Sequence, residues 1–289
     1  MTATIYEIKD SIASPEMLRY DPALAEEAMK EYTTTQSGVL TAIPSSIAYV
    51  PASKFMPTAT ISSLSTRAAQ IAGQNSSLAR QFTSPTPPGQ MEYNFDVSNY
   101  SSYYASVPGK RYATMLQMLQ YPFSQGCIHI PARSGDNPTT VNDKPVIDPK
   151  YYEGDGGKID FEIMVAAQKF GVKICETEPL SQIIIRRVFP PASSAGREDE
   201  DLAEFVRNYT ITDWHPVGTC SMGGKAGAEI GVVDGRLRVY GVKGLRVVDA
   251  SVMPLQVSAH IQATVYAIGE KGASLILEDW EKGDGTKMG

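Results

Sequence analysis

Apolar residues in this chain recur in two rhythms, and the clearest lies near its end. Across residues 262–280, QATVYAIGEKGASLILEDW, Val265, Ile268, Gly272, Leu275 and Ile276 return at steps of three and four. That spacing predicts a helix with one buried face. Residues 160–176, DFEIMVAAQKFGVKICE, repeat it at Phe161, Met164, Val165, Ala167 and Phe170, a second helix. Ser14-Pro15 and Asp21-Pro22 each read as an N-cap followed by proline at the first helical position, so residues 14–38 are helical too. SLSTRAAQIAGQNSSLARQF is a further helical region, weakened by Gly73. The acidic run 198–201 suits the first turn of a helix over LAEFVRNY, where carboxylates meet the positive end of the dipole. Strand character falls on SSIAYVP (residues 45–51), on residues 110–130, and on two short strands around the GVKG of LRVYGVKGLRVVDAS. SPTPPGQ (84–90) and residues 134–157 are loop.

Composition narrows what such a fold does. The length of 289 residues allows one large domain or two ordinary ones, and 42% apolar content is enough for a core. A net charge of −6 and a pI near 5.2 argue against nucleic acid and against an anionic membrane surface as partners. No apolar run approaches a membrane span, and MTATIYEIKDS lacks the layout of a signal peptide. Three glycosylation sequons, at Asn75, Asn99 and Asn208, nevertheless suit secretion of a longer parent. Cys127, Cys175 and Cys220 form no CxxC pair and allow at most one disulfide.

The chemistry concentrates on two of the three histidines. His129 alternates with Ile128 and Ile130 on a strand and reads as structural. His215 and His260 each stand where regular structure gives way to a loop, among small residues. His260 precedes the last helix, so the backbone N–H groups of Gln262 and Ala263 lie at a helix N-terminus and favour a negative ligand or developing anion. His215 precedes PVGTCSMGG, a loop that admits another backbone or a flat ligand. Imidazole titrates near neutrality, which suits a general base for a substrate hydroxyl. No HExxH or clustered Cys/His supports a metal site, and no GxSxG supports a serine hydrolase.

Taken together, DWHPVGTCSMG (213–223), GVVDGRLRVYGVKGLRVVDASVMP (231–254) and SAHIQATVYAIGEKGASLI (258–276) resemble the C-terminal signature of the glucose–methanol–choline (GMC) flavin oxidoreductases in order and spacing. QYPFSQGCIHI resembles the strand opening that family's C-terminal region, with Ser124-Gln125-Gly126 where the family usually has Ser-Arg-Gly. TTTQSGVLTAIPSSIAYVP looks like the substrate-domain segment of fungal-type members. The resemblance implies an α+β fold, a mostly antiparallel sheet flanked by helices, and an FAD enzyme oxidising a small-molecule alcohol, with hydride passing to flavin N5. His215 matches the base that takes the hydroxyl proton, and His260 the second residue, bonded to the substrate oxygen. It further implies that Asp249 and Ala250 lie beside the phosphate–ribityl chain, Ile261 and Gln262 near the isoalloxazine edge, and Trp214 with His215 on its reactive face. Cys220, Met222 and Tyr240 read as packing.

One expected part is missing from the sequence. FAD-binding relatives carry GxGxxG between a strand and a helix. The nearest candidates, GDGG (154–157) and GDGTKMG at the C-terminus, do not read as following a strand and opening a helix. The expected organisation is therefore a substrate-binding region over 1–210, a segment over 211–280 completing an FAD-binding α/β domain, and a disordered tail over 281–289. The N-terminal FAD-binding half is then an external partner. Without it the Val265/Ile268/Ile276 face is expected to be partly exposed. A catalytically incomplete fragment, a lyase on the same fold and a pure binding module are the alternative readings.

Overall fold

The computed structural model describes residues 1–41, 45–73, 76–132, 139–193, 196–258 and 260–282. Most of the tail expected to be disordered, residues 283–289, lies outside them, as does Asn75. The strands are β1 (Thr2–Ile8), β2 (Ser45–Val50), β3 (Met91–Asp96), β4 (Arg111–Leu119), β5 (Cys127–His129), β6 (Val146–Asp148) and β7 (Ile184–Phe189). The α-helices are α1 (Pro22–Thr35), α2 (Thr58–Ala72), α3 (Ser77–Arg80), α4 (Gly154–Cys175), α5 (Glu198–Tyr209) and α6 (Gln262–Glu281). No helix among the described residues is long and apolar enough to cross a membrane. The chain forms two compact units, Met1–Leu119 with Gly154–Asp213, and Gln120–Glu153 with Trp214–Gly289.

The first unit is built on a five-stranded antiparallel sheet in the order β2-β3-β4-β1-β7. α4 covers one face. Tyr93 on β3 donates its hydroxyl to Ala167 O at 3.1 Å and sets its ring edge-on to Phe170. Thr2 Oγ1 donates to Gln168 Oε1 at 2.9 Å, and Gln168 Nε2 donates to Thr4 Oγ1 at 2.7 Å. Even residues of β1 and odd residues of β3 therefore face the helix, and their neighbours face away. Asp21 caps α1 as its position before proline predicts, accepting from Leu24 N at 3.0 Å, and α2 ends at Gly73. α5 begins at Glu198, so the acidic run occupies its first turn.

Two sequence expectations are corrected here. GDGG is not loop: it forms the first turn of α4, which starts six residues earlier than the apolar period indicated. Glycines carry no hydrophobic signal, so the period is silent there. The strand before it, β6, pairs antiparallel with β5 in a two-stranded ribbon, and Asp155 is paired with Lys158, so the stretch lacks the βαβ setting of a nucleotide loop. The two short strands around GVKG are reduced to isolated bridges, Val233 with Val239 and Arg238 with Arg246, joined by a turn in which Gly241 and Gly244 both take φ +76°.

The second unit packs around Val233, Leu237, Val252 and Leu275, with Met222, Val239, Val247, Val248 and Ile268 against them. α6 supplies Ile268, Gly272, Leu275 and Asp279 to that side. Its opposite stripe, Tyr266, Leu277 and Trp280, is exposed. The Val265/Ile268/Ile276 face is partly exposed as expected, with Val265 and Ile268 half-buried and Ile276 exposed, and the more exposed apolar stripe lies beside it.

Candidate active site

Both candidate histidines belong to the second unit. The chain enters it through Trp214, which is exposed and holds φ +55°. A bulky residue in the left-handed region is strained and persists only where its surroundings impose it. After His215 the loop passes Gly218 (φ +87°) and is laced to a second segment. Cys220 N donates to Ser251 O and Met222 N to Val252 O, each at 3.0 Å. The second segment is held by Asp249, whose Oδ1 accepts from Ser251 N at 2.8 Å and Ser251 Oγ at 2.5 Å. Asp249 thus fixes the short turn Ala250–Val252 that carries Ala250.

His260 comes from the other side, immediately before α6. Ile261 is buried in the N-cap position, and its carbonyl accepts from Val265 N at 2.9 Å. Gln262 opens the helix and is exposed. No side chain caps this N-terminus, so its first-turn N–H groups are not satisfied by a capping side chain. The structure brings His215 and His260 together, ring centroids 5.1 Å apart and edge to face at 83°. His129 is exposed on β5.

What aims α6 at that point was not read from the sequence. Gly272 lies against Val248 so closely that a Cβ there would collide with the valine side chain. Arg236 Nη2 donates to Asp279 Oδ1 at 2.7 Å and Nη1 to Glu278 Oε2 at 3.2 Å, while Arg246 Nη2 donates to the other oxygen of Asp279. Burial pushes the Asp279 carboxyl up, but Arg236 and the neighbouring arginines outweigh it and hold it below the ordinary value. The signal was available: Asp279 sits four residues after Leu275, on the helix's inward face, where a charge needs a partner.

These features fit a flat cofactor. An uncapped helix start offers N–H donors to an electron-rich heteroatom or anion, and the loop after Trp214 gives close backbone approach. Comparison with known proteins carries the same direction. The model of the GMC oxidoreductase family matches residues 122–269. Dehydrogenase mpl7 of Monascus purpureus is 33% identical over 304 residues, covering 96% of this chain and 46% of the relative. Choline oxidase of Arthrobacter globiformis is 36% identical over 153 residues, covering 53% and 26%. Among solved structures, a formate oxidase from Aspergillus oryzae, solved to follow the effect of a mutation on FAD modification, superposes on 98% of this chain and 46% of its own with TM-score 0.76 at 20% identity. A fungal aryl-alcohol oxidase does so over 97% and 48% with TM-score 0.61 at 22%. The chain belongs to the GMC oxidoreductase family, a mixed helix and antiparallel-sheet fold whose members include FAD-dependent oxidases and dehydrogenases. FAD is the cofactor that goes with this membership. The chain spans about half the length of the curated relatives it matches.

Proposed function

We propose that this chain carries the proton-handling end of an FAD-dependent oxidoreductase that converts an alcohol to a carbonyl compound. The observation that carries the reading is the His215–His260 pair at 5.1 Å, set between a laced loop and an uncapped helix start. His215 takes the hydroxyl proton of the substrate, and His260 holds the same oxygen by a hydrogen bond. Losing the proton raises electron density on oxygen and makes the adjacent carbon a better hydride donor. A positioned base of this kind is worth roughly 10²–10⁴-fold. FAD, when bound, supplies the two-electron acceptance that no side chain offers. Trp214 would lie on its face, the turn at Asp249 and Ala250 beside its phosphate–ribityl chain, and Ile261 and Gln262 at its ring edge.

The reading includes two partners, a small-molecule alcohol and an N-terminal FAD-binding half. The second is supported by the lack of a GxGxxG in the sequence and by the outward apolar stripe of α6. The experiment adds FAD and a separately expressed FAD-binding half of a close relative, then follows alcohol-dependent dye reduction. Turnover lost in His215→Ala is the expected result. Dye reduction unchanged in His215→Ala and His260→Ala overturns the assignment, and carbonyl release without dye reduction indicates a lyase.

A further inference from the structure

The redox reading absorbs none of the three glycosylation sequons, and the structure separates two of them. Asn99 is buried, and its side chain is fully employed. Its Nδ2 donates to Tyr104 O at 2.9 Å and to Ser106 Oγ at 3.0 Å, while Oδ1 accepts from Ser101 N at 3.0 Å. An asparagine that closes its own turn serves packing, and a sugar on Nδ2 would displace both acceptors. Asn208 stands in the last turn of α5. There Leu202, Phe205 and Val206 face inward, and Glu204, Arg207 and Asn208 face out. Asn208 is exposed, and its side-chain amide makes no hydrogen bond among the described residues. The next residue turns inward: the Tyr209 ring lies 5.0 Å from Phe189, edge to face, and 5.4 Å from Phe205, stacked. Thr210 leaves the helix extended, at φ −70° and ψ 130°, and its Oγ1 donates to Val206 O at 2.7 Å.

These contacts fix the sequon's backbone and leave the Asn208 amide in solvent, where a bulky hydrophilic chain disturbs no packing. Asparagine is a middling helix former, and no side-chain hydrogen bond accounts for its place here. We infer that Asn208 is a site of N-linked glycosylation, acquired in the secretory lumen, and that Asn99 is not. The donor is an oligosaccharide carried on a lipid diphosphate. Asn208 Nδ2 forms a bond to the anomeric carbon, and the bond from that carbon to the diphosphate oxygen breaks. The lipid diphosphate leaves with that electron pair, one Nδ2 proton passes to the transferase, and nothing is oxidised or reduced. The transferase reads the hydroxyl of the third sequon residue. In the folded chain that hydroxyl is committed to Val206 O, so transfer precedes closure of the last turn of α5.

The test expresses the whole chain behind a secretion leader in yeast. Cell-associated and secreted protein are read together, so retention in the cell does not hide the result. The denatured chain is treated with peptide N-glycosidase in heavy-oxygen water, which marks each formerly glycosylated asparagine. Trypsin then separates the three sequons into peptides 68–80, 81–110 and 208–225. Asn208 should carry the mark and Asn99 should not. Asn208→Gln and Thr210→Ala should each abolish the mark on 208–225, and Thr210→Ser, which keeps the hydroxyl, should retain it. Without the glycan, Asn208→Gln should leave the melting temperature unchanged, whereas Asn99→Gln, which breaks the turn at 99–106, should lower it. An unmarked Asn208, or a mark on Asn99, overturns the proposal. The measurement needs neither FAD nor turnover, so its failure is distinct from failure of the redox reading.

Discussion

Glu7 and His215 show what single positions do in this chain, one for stability and one for chemistry. Glu7 points away from α4 on a central strand, with Lys110 Nζ donating to its Oε1 at 2.5 Å and Arg186 Nε to its Oε2 at 2.9 Å. The hydrogen bond from Lys110 is the largest influence, and with Arg186 it holds the carboxyl below its ordinary value in spite of burial. A carboxylate with a depressed folded pKa contributes stability that is fully present above the unfolded value, about 4.3. That contribution is lost as pH falls through the folded value. Both cations are partly exposed, so the contribution is modest, about 1 kcal/mol. Glu7→Gln is expected to lower the melting temperature at pH 7 and to leave it nearly unchanged at pH 3. Parallel melting curves at both values check this, and an equal loss at both would refute it. For His215 the expectation is of the opposite kind. His215→Ala should leave melting within about 0.5 kcal/mol of the native chain, as for a partly exposed loop residue. Its cost should fall on turnover in the assembled enzyme, by roughly 10²–10⁴-fold.

Among elements, α6 bears the most weight, because its N-terminus presents His260 and its far end is fixed by arginines. Leu275 is buried in the core of the second unit, and Leu275→Ala should cost about 2–5 kcal/mol. Gly272→Val adds volume where Val248 already stands and should cost about 1–3 kcal/mol. Chemical denaturation monitored at Trp280 or Trp214, the two tryptophans of this unit, would read both. A silent Gly272→Val would mean that α6 does not pack against Val248. This helix was legible because a one-sided helix writes its period into the sequence. The sheet was not. β1 is buried on both faces and shows no clean alternation, and β3, although MEYNFD alternates, buries its polar residues Glu92, Asn94 and Asp96 as well as its apolar ones. β7 was also missed, and the glycines at the start of α4 hid its first turn. The two histidines stood out because a linked set of motifs surrounds them. Arg236 and Arg246 did not stand out as partners of Asp279, since pairings between residues 33 or more positions apart leave no local trace.

At the scale of the whole molecule, the outward stripe of α6 leads to a prediction that separates folding from assembly. Tyr266, Leu277 and Trp280 are 62–70% exposed, so they contribute little to the second unit's own core. Charged replacements there, Leu277→Glu with Trp280→Glu, should change stability by no more than about 0.5 kcal/mol per site. If the stripe is where an FAD-binding half packs, the same pair of changes should abolish the gain in bound flavin that the added half brings. The visible spectrum after removal of free FAD gives that gain directly. The chain alone is expected to retain little flavin, the mixture close to one equivalent, and the doubly charged variant no more than the chain alone. Light scattering gives an independent check, since an uncovered apolar stripe promotes self-association that the two glutamates should suppress. Near-stoichiometric flavin on the chain alone would remove the need for the second half, and the stripe would then require another occupant.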